Sequence, residues 1–95
     1  MLTGKQKSYL RGLAQTENAI FQIGKDGLSD NLIEQVENAL RARELIKISI
    51  LKTAPGDIKE TAFDLGMYTK SEVVQVIGRN VVLYKKGRAP KILLP

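Results

Sequence analysis

Gly24 and Gly27 stand three residues apart, with Lys25 and Asp26 between them, in the segment FQIGKDGLSDNLIEQVENAL. A short apolar run stops at the first glycine, and a long helical pattern begins just after the second. Glycine has no Cβ, so a sugar-phosphate chain can come close to the backbone at either position. A helix start offers free N–H groups and a partial positive charge to a phosphate. Lys25 adds a full positive charge, while Asp26 opposes it or helps to cap the helix. The chemistry legible here is anion binding. An ordinary strand-to-helix turn can also use two glycines, so other features must decide.

Other chemistry has little to work with. The chain has no cysteine and no histidine, which removes thiolate chemistry, the commonest general base and the commonest metal ligand. Ser8, Ser29, Ser49 and Ser71 lack a histidine partner and a G-x-S-x-G setting. Asp57, Glu60, Asp64 and Glu72 form no paired-carboxylate pattern at a strand end. The GKDG loop matches neither G-x-x-x-x-G-K-[ST] nor G-x-G-x-x-G. We therefore expect no enzyme, no catalytic residue, no cofactor and no metal.

Charge points the same way as the loop. The net charge is +5 over 95 residues, from 15 basic and 10 acidic side chains. Lys5, Lys7 and Arg11 lie in residues 1–12 without an acid. Arg79, Lys85, Lys86, Arg88 and Lys91 lie in residues 79–95, again without an acid. The middle is mildly acidic. If the fold brings the ends together they make one positive surface, the footprint of a nucleic-acid binder. A G-x-x-G loop clamps nucleotide backbone in KH domains by the logic given above for Gly24 and Gly27.

These residues need elements to hold them. Thr3 suits the N-cap of a helix in GKQKSYLRGLA, with Lys7 and Arg11 one turn apart. AIFQI reads as a strand, with Phe21 and Ile23 on one side and Ile20 and Gln22 on the other. Ser29 suits the N-cap of the next helix, whose apolar stripe is Leu32, Ile33, Val36, Ala39 and Leu40. LIKISIL alternates, with Ile46, Ile48 and Ile50 on one face. Pro55 suits the start of a third helix carrying Ile58, Ala62 and Leu65, with Phe63 and Met67 available to pack. VVQVIGRNVVLYKK predicts a hairpin, with Val74 and Val76 sharing a face and Gly78 and Asn80 supplying positive φ. GRAPKILLP reads as a basic tail or a short edge strand. The order α-β-α-β-α-β-β predicts an α/β (α+β) two-layer sandwich with a four-stranded mixed sheet, one domain over residues 1–95.

LTGKQKSYLRGLA, IGKDGLSDNLIEQVENAL, RELIKISI and VVQVIGRNVVLYKK, in that order, resemble the CRM domain, the chloroplast RNA splicing and ribosome maturation domain. The chain is most similar to the bacterial stand-alone members of the YhbY type. The resemblance runs from about Leu2 to Pro95. It implies a fold similar to the C-terminal domain of bacterial translation initiation factor three, and RNA binding. For the bacterial members it implies association with large-ribosomal-subunit precursors. It sets the family G-x-x-G on Gly24, Lys25, Asp26 and Gly27, and a basic first helix on Lys5, Lys7 and Arg11. One departure is Lys70, where the family pattern implies a glycine ending the third helix.

Together these readings predict a non-catalytic RNA-binding protein acting on ribosomal RNA precursors. The expected contacts are Gly24, Lys25, Asp26, Gly27, Lys5, Lys7, Arg11, Arg79, Lys85, Lys86 and Arg88. Tyr84 reads as a core-edge residue, and with few aromatics the expected recognition is of backbone and shape. An alternative is a protein-docking module using Glu34, Glu37 and Glu44 on the second helix. No apolar run approaches a membrane span, so the expected setting is a cytoplasmic monomer.

Overall fold

The computed structural model describes residues 2–95, and its elements follow the expected order. They are α1 (Gly4–Ala14), β1 (Ala19–Ile23), α2 (Asp30–Arg43), β2 (Leu45–Ile50), α3 (Ile58–Thr69), β3 (Glu72–Ile77) and β4 (Asn80–Tyr84). The sheet order is β1-β2-β4-β3. β1 and β2 are parallel, as a strand–helix–strand unit requires, and the other two pairs are antiparallel.

Each helix starts where a side chain can accept from an orphan N–H. Thr3 and Gln6 form a reciprocal capping box at α1. Ser29 Oγ accepts from Leu32 N at 3.1 Å. The cap of α3 is Asp57, whose Oδ2 accepts from Glu60 N at 3.3 Å. Pro55 lies outside that helix, in the loop before it.

The sheet is covered on both faces. α2 and α3 pack Val36, Leu40, Ala62 and Leu65 on Ile46, Ile48, Ile50, Val81 and Leu83. α1 lies on the other face, where Leu10 and Ala14 meet Leu45, Val74, Val82 and Tyr84. Burying these two sets of apolar side chains is the main driving force of the fold. Tyr84 is thereby a core residue, 3% exposed, and has no face for a base.

Two strands depart from strict alternation. β1 changes register between Ala19 and Phe21, so Ile20 joins Phe21 against the α2/α3 core instead of opposing it. β3 does the same between Val73 and Gln75. Val74 therefore faces α1, while Val73 and Val76 face the other core. In the hairpin only Gly78 takes a positive φ, and Asn80 is already in β4. Phe63 and Met67 do not pack inward; they are 65% and 57% exposed on α3.

Residues 85–95 form no regular strand. They run as a strap from β4, and Ile92 and Leu94 pack beside the α1 core. The anchor is Glu44, the single residue between α2 and β2. Its φ of 66° turns the chain from helix into strand. Its buried carboxylate accepts from Gly87 N at 2.7 Å, Lys91 N at 2.8 Å and Ile92 N at 2.9 Å.

Candidate nucleic-acid interface

Three loops gather at one end of the sheet, because β1 and β2 both end there and β4 begins there. They are residues 24–29, residues 51–57 and the Gly78–Arg79 turn. The first closes on itself, Gly27 N donating to Gly24 O at 3.0 Å. The second packs against it through Leu51, Thr53 and Pro55. Arg79 ties the third in place, its Nε and Nη2 each donating at 2.8 Å to Ile50 O and Leu51 O. The starts of α2 and α3 open onto the same end.

The two glycines have different reasons to be glycine. Gly27 has φ +62°, and a Cβ there would stand 3.2 Å from Pro55 Cγ. The turn itself disfavours a side chain. Gly24 has no positive φ, and a Cβ there would meet only Leu51 Cδ1 and Thr53 Oγ1, both at 3.8 Å. That is ordinary contact, so packing within the fold does not demand glycine at position 24. Beside it, Lys25 and Asp26 are exposed, and the α2 cap belongs to Ser29.

The remaining basic residues lie elsewhere. Register places Leu45 and Glu72 opposite Tyr84, so Lys85 leaves β4 at the far end of the sheet. There a groove of about 490 Å³ is lined by Arg41, Lys85, Lys86, Arg88 and Lys91 above Glu44. Two of these cations have structural work. Lys85 Nζ donates to Thr69 O at 3.1 Å at the end of α3, and Lys91 Nζ to Ala42 O at 2.8 Å near the end of α2. Each offsets the partial negative charge of a helix C-terminus. Lys86 and Arg88 are exposed and make no hydrogen bond among the described residues.

The chain ends do meet. Gln6 Nε2 donates to Pro95 O at 3.3 Å, so the first turn of α1 adjoins the strap. Lys5 is exposed there, and Lys7 and Arg11 are half-buried along α1. The structure thus places Lys5 beside the strap, and Lys25 and Arg79 at the opposite end of the sheet.

Glu44 cannot belong to an acidic docking face. It is 1% exposed, while Glu34 on α2 is open to solvent. Desolvation pushes the Glu44 carboxyl up, but the backbone N–H groups of Gly87, Ile92 and Lys91 and the Lys91 charge outweigh it. The net effect holds the group below its ordinary value. Burial, with the Glu44 charge nearby, raises Tyr84.

Lys52 is exposed in the loop that packs on Gly24 and is not among the contacts expected from the sequence. Its signal was the placement of KTAPGD directly after a strand parallel to β1. Arg41, at the strap groove, is likewise absent from the expected contacts. Among the described residues, no cluster of three acidic side chains suits a metal, and no helix is long and apolar enough to cross a membrane.

Comparison with known proteins extends these observations. The CRS1 / YhbY (CRM) domain model matches residues 2–85. A Bacillus subtilis protein named "Probable RNA-binding protein YqeI" is 47% identical over 96% of this chain and 95% of its own length. A Haemophilus influenzae protein named "RNA-binding protein" is 37% identical over 99% of this chain and 95% of its own. The solution structure of SAV1595 from Staphylococcus aureus superposes with a TM-score of 0.84 and 49% identity, each chain being covered in full.

Proposed function

We propose that this chain, which belongs to the CRS1 / YhbY (CRM) domain family, binds RNA with the three-loop end of its sheet. The observation that carries the reading is the glycine at position 24, which packing within the fold does not demand. A ribose-phosphate chain lying against that backbone gives the missing reason. The N–H groups at the start of α2 face a phosphate there, and Lys25, Lys52 and Arg79 supply positive charge. Two bonds from Arg79, to Ile50 O and Leu51 O, fix its guanidinium at that end of the sheet.

The action is non-catalytic binding by residues 1–95 as one domain, and the protein works as a monomer in the cytoplasm. The RNA is precursor ribosomal RNA of the large subunit, and the role is in its assembly. Binding to RNA is supported by the names of the relatives, and the ribosomal role rests on the resemblance to the stand-alone YhbY-type members. Tyr84 is buried, so recognition rests on backbone and shape.

The test is a titration of large-subunit precursor RNA, an unrelated structured RNA and duplex DNA, each at several salt concentrations. We expect tightest binding to the precursor and a steep loss of affinity with salt. Equal affinity for duplex DNA, or a complex indifferent to salt, would overturn the reading.

A further inference from the structure

We propose that the strap over Glu44 is a second RNA-backbone contact, so that the protein bridges two separate backbone segments of a folded RNA. This rests on the RNA reading above and names the class of RNA it takes.

Strand β4 separates the two cationic ends. At about 3.4 Å per residue, Arg79 and Lys85 lie about 20 Å apart along it. No line of exposed cations joins them through β4, because Val81, Val82, Leu83 and Tyr84 are all buried. A single strand too short to cover that distance, held at Gly24, does not reach Lys86 and Arg88. A folded RNA presenting two backbone segments at that spacing does.

The strap is built to present its charges. A flexible basic tail would lose conformational entropy on binding. Here the Glu44 carboxylate holds three backbone N–H groups of the strap. Lys85 and Lys91 are spent on the ends of α3 and α2. Their bonds leave Lys86 and Arg88 on a fixed loop, pointing their charge at solvent. Lys5, Arg41 and Lys70 add positive charge around the same end. The close approach of strap and carboxylate accounts for Gly87, where a Cβ would stand 2.8 Å from Glu44 Oε2.

The experiment compares three proteins on two RNAs. The proteins are the wild type, Lys86→Gln with Arg88→Gln, and Lys25→Gln with Lys52→Gln. All four replaced side chains are exposed, so each variant keeps its fold, checked by circular dichroism. The RNAs are a three-way junction and an oligouridine too short to span β4. We expect the strap variant to lose about tenfold or more on the junction, to lower its salt slope by about 1 to 2, and to bind oligouridine as the wild type does. The loop variant loses affinity for both.

A strap variant equal to the wild type on the junction, or weakened equally on both RNAs, would overturn the bridge and leave the loop reading standing. A loop variant equal to the wild type on both would remove the loop reading, and with it the bridge. Failure of the wild type to bind either RNA would remove both.

Discussion

Gly87 donates its N–H to Glu44 Oε2 at 2.7 Å, and a Cβ on Gly87 would stand 2.8 Å from that same oxygen. The strap and the α2–β2 junction are thus one unit. Replacing Glu44 with alanine leaves the N–H groups of Gly87, Lys91 and Ile92 without their acceptor. We expect a loss of about 3 kcal/mol, read from urea denaturation, since bonds to a buried charge are each worth more than neutral ones. Gly87→Ala should cost less than this, because the strap can shift at the expense of one bond.

The same carboxylate predicts an acid limb. Its folded pKa lies below the ordinary 4.5, so near that value the unfolded chain binds more protons. Stability from this group is present above the ordinary value and is lost as pH falls through the folded one. Glu44→Gln should flatten that limb in a series of urea midpoints taken from neutral pH downward. An unchanged limb would mean that other carboxylates carry the acid sensitivity.

Lys70 ends α3 in the left-handed region, with φ 55° and ψ 43°. A side chain with a Cβ is strained there and glycine is not. Lys70→Gly should therefore stabilise the protein by about 0.5–1 kcal/mol, the relief of strain exceeding the added entropy of the unfolded chain. A thermal melt that moves down would show that the lysine side chain contributes something its surface position does not reveal.

Much of this architecture could be read in advance where a residue's role is set by its near neighbours. Thr3 and Ser29 cap the helices expected of them, and Ile46, Ile48 and Ile50 share the face that alternation assigns. What escaped depends on residues distant in the chain. The shifts at Ile20 and Val74 follow from register against partner strands, and periodicity within one strand cannot report it. Glu44 looked like a solvated helix-end acid because its three donors lie more than 40 positions later. Phe63 and Met67 share the helical period of α3 but fall beyond the arc that meets the sheet.

The candidate site divides in the same manner. The Gly24–Gly27 loop was legible because its parts are consecutive. That Arg79 braces the end of β2 next to this loop, and that Lys86 and Arg88 lie at the other end of the sheet, follows from the pairing of β4 with β2.

The glycines themselves make a contrasting pair. Gly27→Ala should lose about 1–2 kcal/mol of stability, from its positive φ and from Pro55. Gly24→Ala should stay within about 0.5 kcal/mol of the wild type, as for a substitution that breaks no named feature. Urea midpoints of the two variants decide it. Equal losses would mean that Gly24 serves the turn.

The central claim is that RNA backbone lies on that loop, and the most direct measurement is the affinity of Gly24→Ala combined with Lys25→Glu for large-subunit precursor RNA. We expect a loss of at least about tenfold, or 1.4 kcal/mol, with the urea midpoint unchanged. A folded variant that binds as tightly as the wild type would contradict the claim and reduce the loop to a turn.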